Sequence, residues 1–146
     1  MQSKIKVLSY TNNPLTTMGH MAGICYGTTK ENRYIGIAKR CLEEGHDRVS
    51  EFPTISLEIT CSAKLAREVY THIIGTTRLQ ASTRYIDYSK GFKFVTPPSI
   101  LESPDREEVW DNAMDWILKS MQILEGLNVP IEDLTNLLPL AYETTF

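Results

Sequence analysis

The chain has 146 residues and a mass of 16.6 kDa, with 42% hydrophobic residues, 23% charged residues and a formal net charge of −3. This size and mixture suit one soluble globular domain and exclude wholesale disorder, a collagen-like repeat and a coiled coil. No apolar run approaches the roughly 20 residues of a bilayer span, and the opening MQSKIKVLSY lacks the apolar core of a signal peptide. Cys25, Cys41 and Cys61 are an odd number in separate segments with no CxxC, so a reducing, cytoplasmic setting without disulfides is expected.

In chain order, Lys4–Ser9 alternates charged and apolar residues and reads as a strand. Thr11-Asn12-Asn13-Pro14 is a turn and helix start. Met18, Met21, Ala22 and Cys25 then fall on one helix face over Leu15–Cys25. Asn32 can cap a helix over Tyr34–Glu44, with Ile35, Ala38, Cys41 and Leu42 inward and Gly45 as its stop. Ile55, Leu57 and Ile59 alternate with Ser56, Glu58 and Thr60, as in a half-buried strand. Ser62 caps a helix over Ala63–Ile74, with Leu65, Ala66, Val69, Tyr70 and Ile73 inward.

A hairpin is expected from Tyr85–Tyr88 and Phe92–Val95 through Ser89-Lys90-Gly91, ended by Pro97-Pro98. Ser103-Pro104 opens the longest helix, with Asp105, Glu107 and Glu108 at its positive end. Val109, Ala113, Ile117, Met121 and Leu124 form its stripe, which Trp110 and Trp116 widen, and Gly126 ends it. A last helix is expected from Pro130 to about Leu138. This order predicts a single α+β domain over residues 1–146 with a mainly antiparallel sheet. The apolar end, Leu137-Leu138-Pro139-Leu140 through Phe146, is expected to need a partner surface or further chain to pack on.

Charge is unevenly spread. Residues 62–98 hold six basic and two acidic residues, and residues 99–146 hold two basic and ten acidic. A basic middle is either a solvated face or an anion site. Phosphate-loop, GxGxxG, GxSxG and HExxH motifs are absent. His20, His46 and His72 are 26 residues apart, too far for ligand pairing along one helix, so no metal site is expected. No aromatic stacking motif or helix-turn-helix pattern points to nucleic acid.

Two segments carry chemistry. Gly45-His46-Asp47-Arg48-Val49-Ser50-Glu51 is either a titratable binding loop or a helix C-cap with His46 near the negative dipole end. Thr71–Tyr85 gathers hydroxyls, His72, Arg78, Gln80 and Arg84 around Gly75. Arginine grips phosphate with paired charged hydrogen bonds, hydroxyls and backbone N–H groups complete a cradle, and glutamine reads a ribose or base edge. That inventory suits a nucleoside monophosphate; the alternative is a polar loop whose arginines pair with acids such as Asp87.

At these residues the chain resembles the flavin-dependent thymidylate synthases. That family's Ser-x-Arg-Tyr ending appears intact as Ser82-Thr83-Arg84-Tyr85, preceded by Gln80 and Ala81. Its Gly-His with a glutamate five residues on is matched by Gly45-His46 and Glu51. Val7–Thr11 with Asn13-Pro14 looks like the family's start, and Leu138-Pro139-Leu140 like its leucine-proline segment. The resemblance implies methylation of dUMP to dTMP with methylenetetrahydrofolate, FAD as cofactor and NADPH as reductant. It implies dUMP contacts at Glu68, Gln80, Ala81, Ser82 and Arg84, with Arg84 on the phosphate. FAD or folate contacts fall at His46, Glu51, His72 and Arg78. Arg84 and Ser82 are the catalytic candidates, with Ser82 chiefly a binding group because no step needs a covalent nucleophile. The resemblance also implies a homotetramer with sites shared between chains.

The chain departs from the family pattern. Thr71 and Ile73 stand where arginines flank the histidine, and Thr135 or Asn136 stands where a substrate-binding arginine is found. The family's Asn-x-Arg stretch and further helix have no counterpart before Phe146, so the C-terminal part of the family domain is expected to be missing. Two alternatives to thymidylate synthesis follow: a diverged relative that binds flavin or nucleotide without turnover, or an enzyme acting on another pyrimidine nucleotide.

Overall fold

A computed structural model describes residues 3–28 and 30–146. Strand β1 (Lys4–Tyr10) leads to helix α1 (Pro14–Cys25). Asn13, in the left-handed region that asparagine tolerates, turns the chain into α1, and Pro14 takes the first helical turn, where its missing N–H costs nothing. A 3-10 turn over Glu31–Arg33 precedes α2 (Tyr34–Glu43), so Asn32 lies inside that turn and not at the cap expected of it. Gly45 does stop α2. At φ +75° it lets its own N–H reach the Leu42 carbonyl at 3.2 Å while the His46 N–H reaches that of Cys41 at 2.8 Å. This is the paired closure of a Schellman motif.

Strand β2 (Ile55–Ser62) runs into α3 (Ala63–Val69), and the Ser62 hydroxyl accepts the Leu65 N–H at 3.2 Å as the N-cap. The helix is shorter than the predicted Ala63–Ile74. Ile73 and Ile74 are exposed, so no burial drives further turns, and the Thr71 hydroxyl donates to the Glu68 carbonyl at 2.7 Å. The hairpin expected over Tyr85–Val95 is not formed. A 3-10 turn occupies Tyr88–Lys90, and Phe94 instead makes an antiparallel bridge to Tyr142. Pro98 opens α4 (Pro98–Leu101), followed by α5 (Pro104–Gly126).

The long helix is closed by Asn128, left-handed at φ 60°, with Gly126 as its last helical residue. The last helix is only α6 (Ile131–Leu134), continued by a 3-10 turn over Thr135–Leu137. Strand β3 (Glu143–Thr145), not foreseen from sequence, completes a three-stranded antiparallel sheet in the order β1-β2-β3. The α+β class and the antiparallel sheet are as expected.

The chain divides into two compact units: the described residues of Met1–Ile5 with Ile59–Phe146, and those of Lys6–Glu58. In the larger unit Ala63, Tyr88, Met121, Leu134 and Tyr142 form the core, flanked by Phe92, Ile117, Leu124, Val129 and Leu138. Of the apolar chain end, Leu138 and Tyr142 pack on their own unit, whereas Leu137 and Leu140 stay exposed. Tyr142 is buried edge-on to Tyr88, and Phe146 meets Tyr70 at 5.5 Å. The inward stripe of α5 is the buried Met114 and Met121 with the half-buried Ile117 and Leu124; Val109, Ala113 and Trp116, expected inside, are exposed.

In the smaller unit Ala22, Cys41 and Val49 pack with Met18 and Ile37, whereas Ile35 and Leu42 of the predicted α2 stripe are exposed. Here Gly19 lies directly against the backbone of Tyr34; a Cβ at this position would fall inside the Tyr34 carbonyl. Gly19→Ala is expected to destabilise the protein by about 3 kcal/mol or more, because backbone cannot yield as a side-chain tip can. Tyr142→Ala is expected to cost about 3 kcal/mol through lost core contacts. Urea unfolding midpoints check both.

Candidate functional site

In the larger unit, the polar segment after α3 is held from two directions. Arg78 donates Nη1–H to the Val69 carbonyl at 2.8 Å, and its guanidinium lies 4.5 Å from the centroid of the Tyr70 ring. The Tyr70 hydroxyl is buried without a hydrogen-bond partner among the described residues, and burial pushes its pKa up, opposed in part by Arg78. Two residues on, Gln80 donates Nε2–H to the Thr144 hydroxyl at 3.0 Å, and the Ala81 N–H donates to the Thr145 carbonyl at 2.9 Å. The loop is thereby fastened along β3.

Beyond this anchor the chain turns sharply. The Ser82 hydroxyl oxygen accepts the Arg84 N–H at 3.1 Å, and the Ser82 carbonyl accepts the Ile86 N–H at 3.2 Å. Ser82 is half-buried, and its hydroxyl proton remains available to a ligand. No base contacts its oxygen among the described residues, which favours binding over nucleophilic attack. Arg84 is exposed and forms no ion pair among the described residues.

The acid that could have occupied Arg84 is engaged elsewhere. Asp87 meets Lys90 Nζ at 2.7 Å and accepts from both the backbone and hydroxyl of Ser89. Lys90 first, then Ser89, holds the Asp87 carboxyl below the usual aspartate range. The reading in which the loop arginines pair with Asp87 is thus not what the fold adopts.

The other sequence-derived residues are placed as follows. Glu68 and His72 are exposed, on α3 and just past its end. The Ala81 N–H is committed to β3, leaving its carbonyl and methyl group to a ligand. His46 and Glu51 belong to the smaller unit, at either end of a 3-10 turn over Asp47–Glu51. His46 is largely exposed, with Nε2 at 3.7 Å from Glu44 Oε2. Thr135 and Asn136 turn their side chains back onto the carbonyls of Glu132 and Asp133. Sequence reasoning missed Thr144 and Thr145, which position Gln80 and Ala81. The alternation of Tyr142, Thr144 and Phe146 with Glu143 and Thr145 was the available strand signal.

Among the described residues no three His, Cys, Asp or Glu side chains gather as metal ligands would, and no helix is long and apolar enough to cross a membrane. A family model described as thymidylate synthase complementing protein matches residues 6–146. A curated flavin-dependent thymidylate synthase from Geobacter sulfurreducens is 26% identical over 152 residues, covering 97% of this chain. The chain spans 65% of that relative's length.

The depressed Asp87 pKa makes a pH prediction. A carboxylate held below its unfolded value of about 3.9 adds stability that is complete above that value and is lost as pH falls through the lower folded value. Lys90→Met should therefore raise the Asp87 midpoint in a carboxyl NMR titration, with little effect on stability at pH 2. An unmoved midpoint would refute the Lys90 assignment.

Proposed function

We propose, on the premise that this chain belongs to the thymidylate synthase complementing protein family, that the loop from Gln80 to Arg84 receives dUMP for flavin-dependent methylation to dTMP. The observation that carries this reading is the exposed guanidinium of Arg84, without an ion pair among the described residues, two residues past the half-buried Ser82 hydroxyl on a loop fastened to β3. Guanidinium and hydroxyl together match a phosphate monoester. The Gln80 side chain spends one donor on Thr144, leaving a second N–H and its carbonyl oxygen for the ribose or uracil edge. Glu68, exposed on α3, is proposed as a further dUMP contact.

For FAD the donor set in the larger unit fits an anionic, ring-bearing group. His72 is exposed, and Arg78 has N–H groups left after its single bond to Val69. His72 and Arg78 are proposed to hold FAD, and His46 and Glu51 to contact FAD or folate from their own loop. When bound, FAD would supply the redox chemistry, with methylenetetrahydrofolate as carbon donor and NADPH as reductant. The protein's own part is to fix the nucleotide and to set positive charge against the uracil as it gains electrons. Arg84 is the residue proposed for the phosphate, and Ser82 a hydrogen-bond donor beside it. A second reading, binding without turnover, is favoured by Thr71 and Ile73, which offer no cation beside His72.

A homotetramer is proposed with this function. Val109, Trp116 and Ile123 repeat every seven residues along α5 and are 71%, 68% and 64% exposed. Such a stripe on one face of a 23-residue helix matches a helix-packing surface. Ile74, Leu79 and Tyr85, around the candidate loop, are also exposed.

Purified protein is expected to carry FAD and to release tritium from 5-tritiated dUMP when folate and NADPH are supplied. FAD and dUMP binding without release would select the second reading. Arg84→Ala should weaken dUMP binding by about 1.5–3 kcal/mol, roughly 10- to 150-fold; an unchanged Kd would remove Arg84 from the phosphate. Trp116→Glu should lower the mass measured by sedimentation velocity, and a wild-type chain that sediments as a monomer would overturn the tetramer.

A further inference from the structure

The smaller unit holds a cavity of about 370 Å³ that the proposed function does not use. Four of its lining residues follow one face of α2 from the turn before it to the cap after it: Arg33, Ile37, Arg40 and Glu44, spaced so that each lies about one helical turn from the next. Tyr26 and Thr28, from the chain just past α1, line it as well. Two arginines, both largely exposed, therefore border one open depression.

Their hydrogen bonding leaves most of their donors unused. Arg40 donates Nε–H to Glu44 Oε1 at 2.9 Å, which fixes the plane of the guanidinium and leaves Nη1 and Nη2 without a protein acceptor among the described residues. Arg33 has no ion pair or side-chain acceptor among the described residues. The Thr28 hydroxyl oxygen accepts the Lys30 N–H at 3.5 Å, so its own proton is free to donate. With one carboxylate against two guanidiniums, the lining keeps a net positive charge.

We infer that this cavity binds a phosphorylated small molecule, its phosphate held by Arg33 and Arg40 with the Thr28 hydroxyl. Two guanidinium forks suit a tetrahedral dianion better than a planar carboxylate, which one fork already satisfies. The volume lies in the range of roughly 300–1,000 Å³ that ligand pockets occupy, more than a bare oxyanion fills. The buried Cys41 and half-buried Ile37 give an apolar wall for a body the size of a sugar. The ligand class is thus an organic phosphate monoester rather than inorganic phosphate.

The test is an NMR titration of the full chain with ribose 5-phosphate, inorganic phosphate and unphosphorylated ribose. Ribose 5-phosphate should give saturable shifts at the amides of Thr28, Arg33 and Cys41. Inorganic phosphate should bind at least threefold more weakly, and ribose should give no shifts there. Arg33→Gln and Arg40→Gln should each raise the Kd for ribose 5-phosphate at least tenfold. Arg33→Lys, which keeps the charge but not the fork, should fall between. Arg84→Ala should leave these shifts unchanged, which separates this cavity from the dUMP proposal. Shifts that rise linearly without saturating, or a Kd unmoved by Arg33→Gln in a variant whose spectrum stays dispersed, would overturn the inference. So would equal affinity for inorganic and ribose phosphate.

Discussion

The backbone pairing of the last six residues organises the larger unit. On one side β3 pairs with β2, with Thr145 opposite Thr60, and the Phe146 N–H and carbonyl both bond Ile59. The Thr145 carbonyl also accepts the Ala81 N–H, and the Glu143 N–H reaches the Lys93 carbonyl at 2.7 Å. Each such bond is worth only about 0.5–1.5 kcal/mol net. Together they tie three stretches, distant in sequence, to one short strand. Thr144 and Tyr142 are buried there, so the strand contributes packing as well as pairing.

That constraint sets the candidate site. Gln80 and Ala81 are held by side-chain and main-chain bonds to β3, whereas Arg84, three residues on from Ala81, is exposed. An anchored approach followed by a cation with no ion pair among the described residues suits the proposed phosphate contact, because the anchor limits the ordering needed on binding. Arg78 plays a different part. With one bond to the Val69 carbonyl and its guanidinium carbon over the Tyr70 ring, it braces the exit from α3 and keeps donors in reserve.

The long helix illustrates how much periodicity could reveal. Its apolar residues recur at three- and four-residue spacing on more than one face, so the helix itself was evident from Ser103-Pro104 onward. Which face enters the core was not. Ile117, Met121 and Leu124 go inward against Tyr88, Leu134 and Tyr142, Met114 is buried as well, and Val109 and Trp116 stay outside. An apolar stripe states that a helix will be covered, without stating by what.

Read alone, the residues determined whatever depends on near neighbours. Gly45 closes α2, Ser62 caps α3, Pro104 starts α5, and the alternation of Ile55, Leu57 and Ile59 makes a strand. The Ser82–Tyr85 and Gly45–Glu51 patterns also pointed to the family. Tertiary structure alone decided that Phe94 would meet Tyr142 instead of closing a hairpin, that the chain end would become a strand, and that Asp87 would take Lys90 and leave Arg84 free. Caps and periodicities act over three or four residues, where sequence order and spatial order coincide. The pairings of Thr60 with Thr145 and of Gln80 with Thr144 join residues 85 and 64 apart, and such contacts exist only once the whole unit has folded.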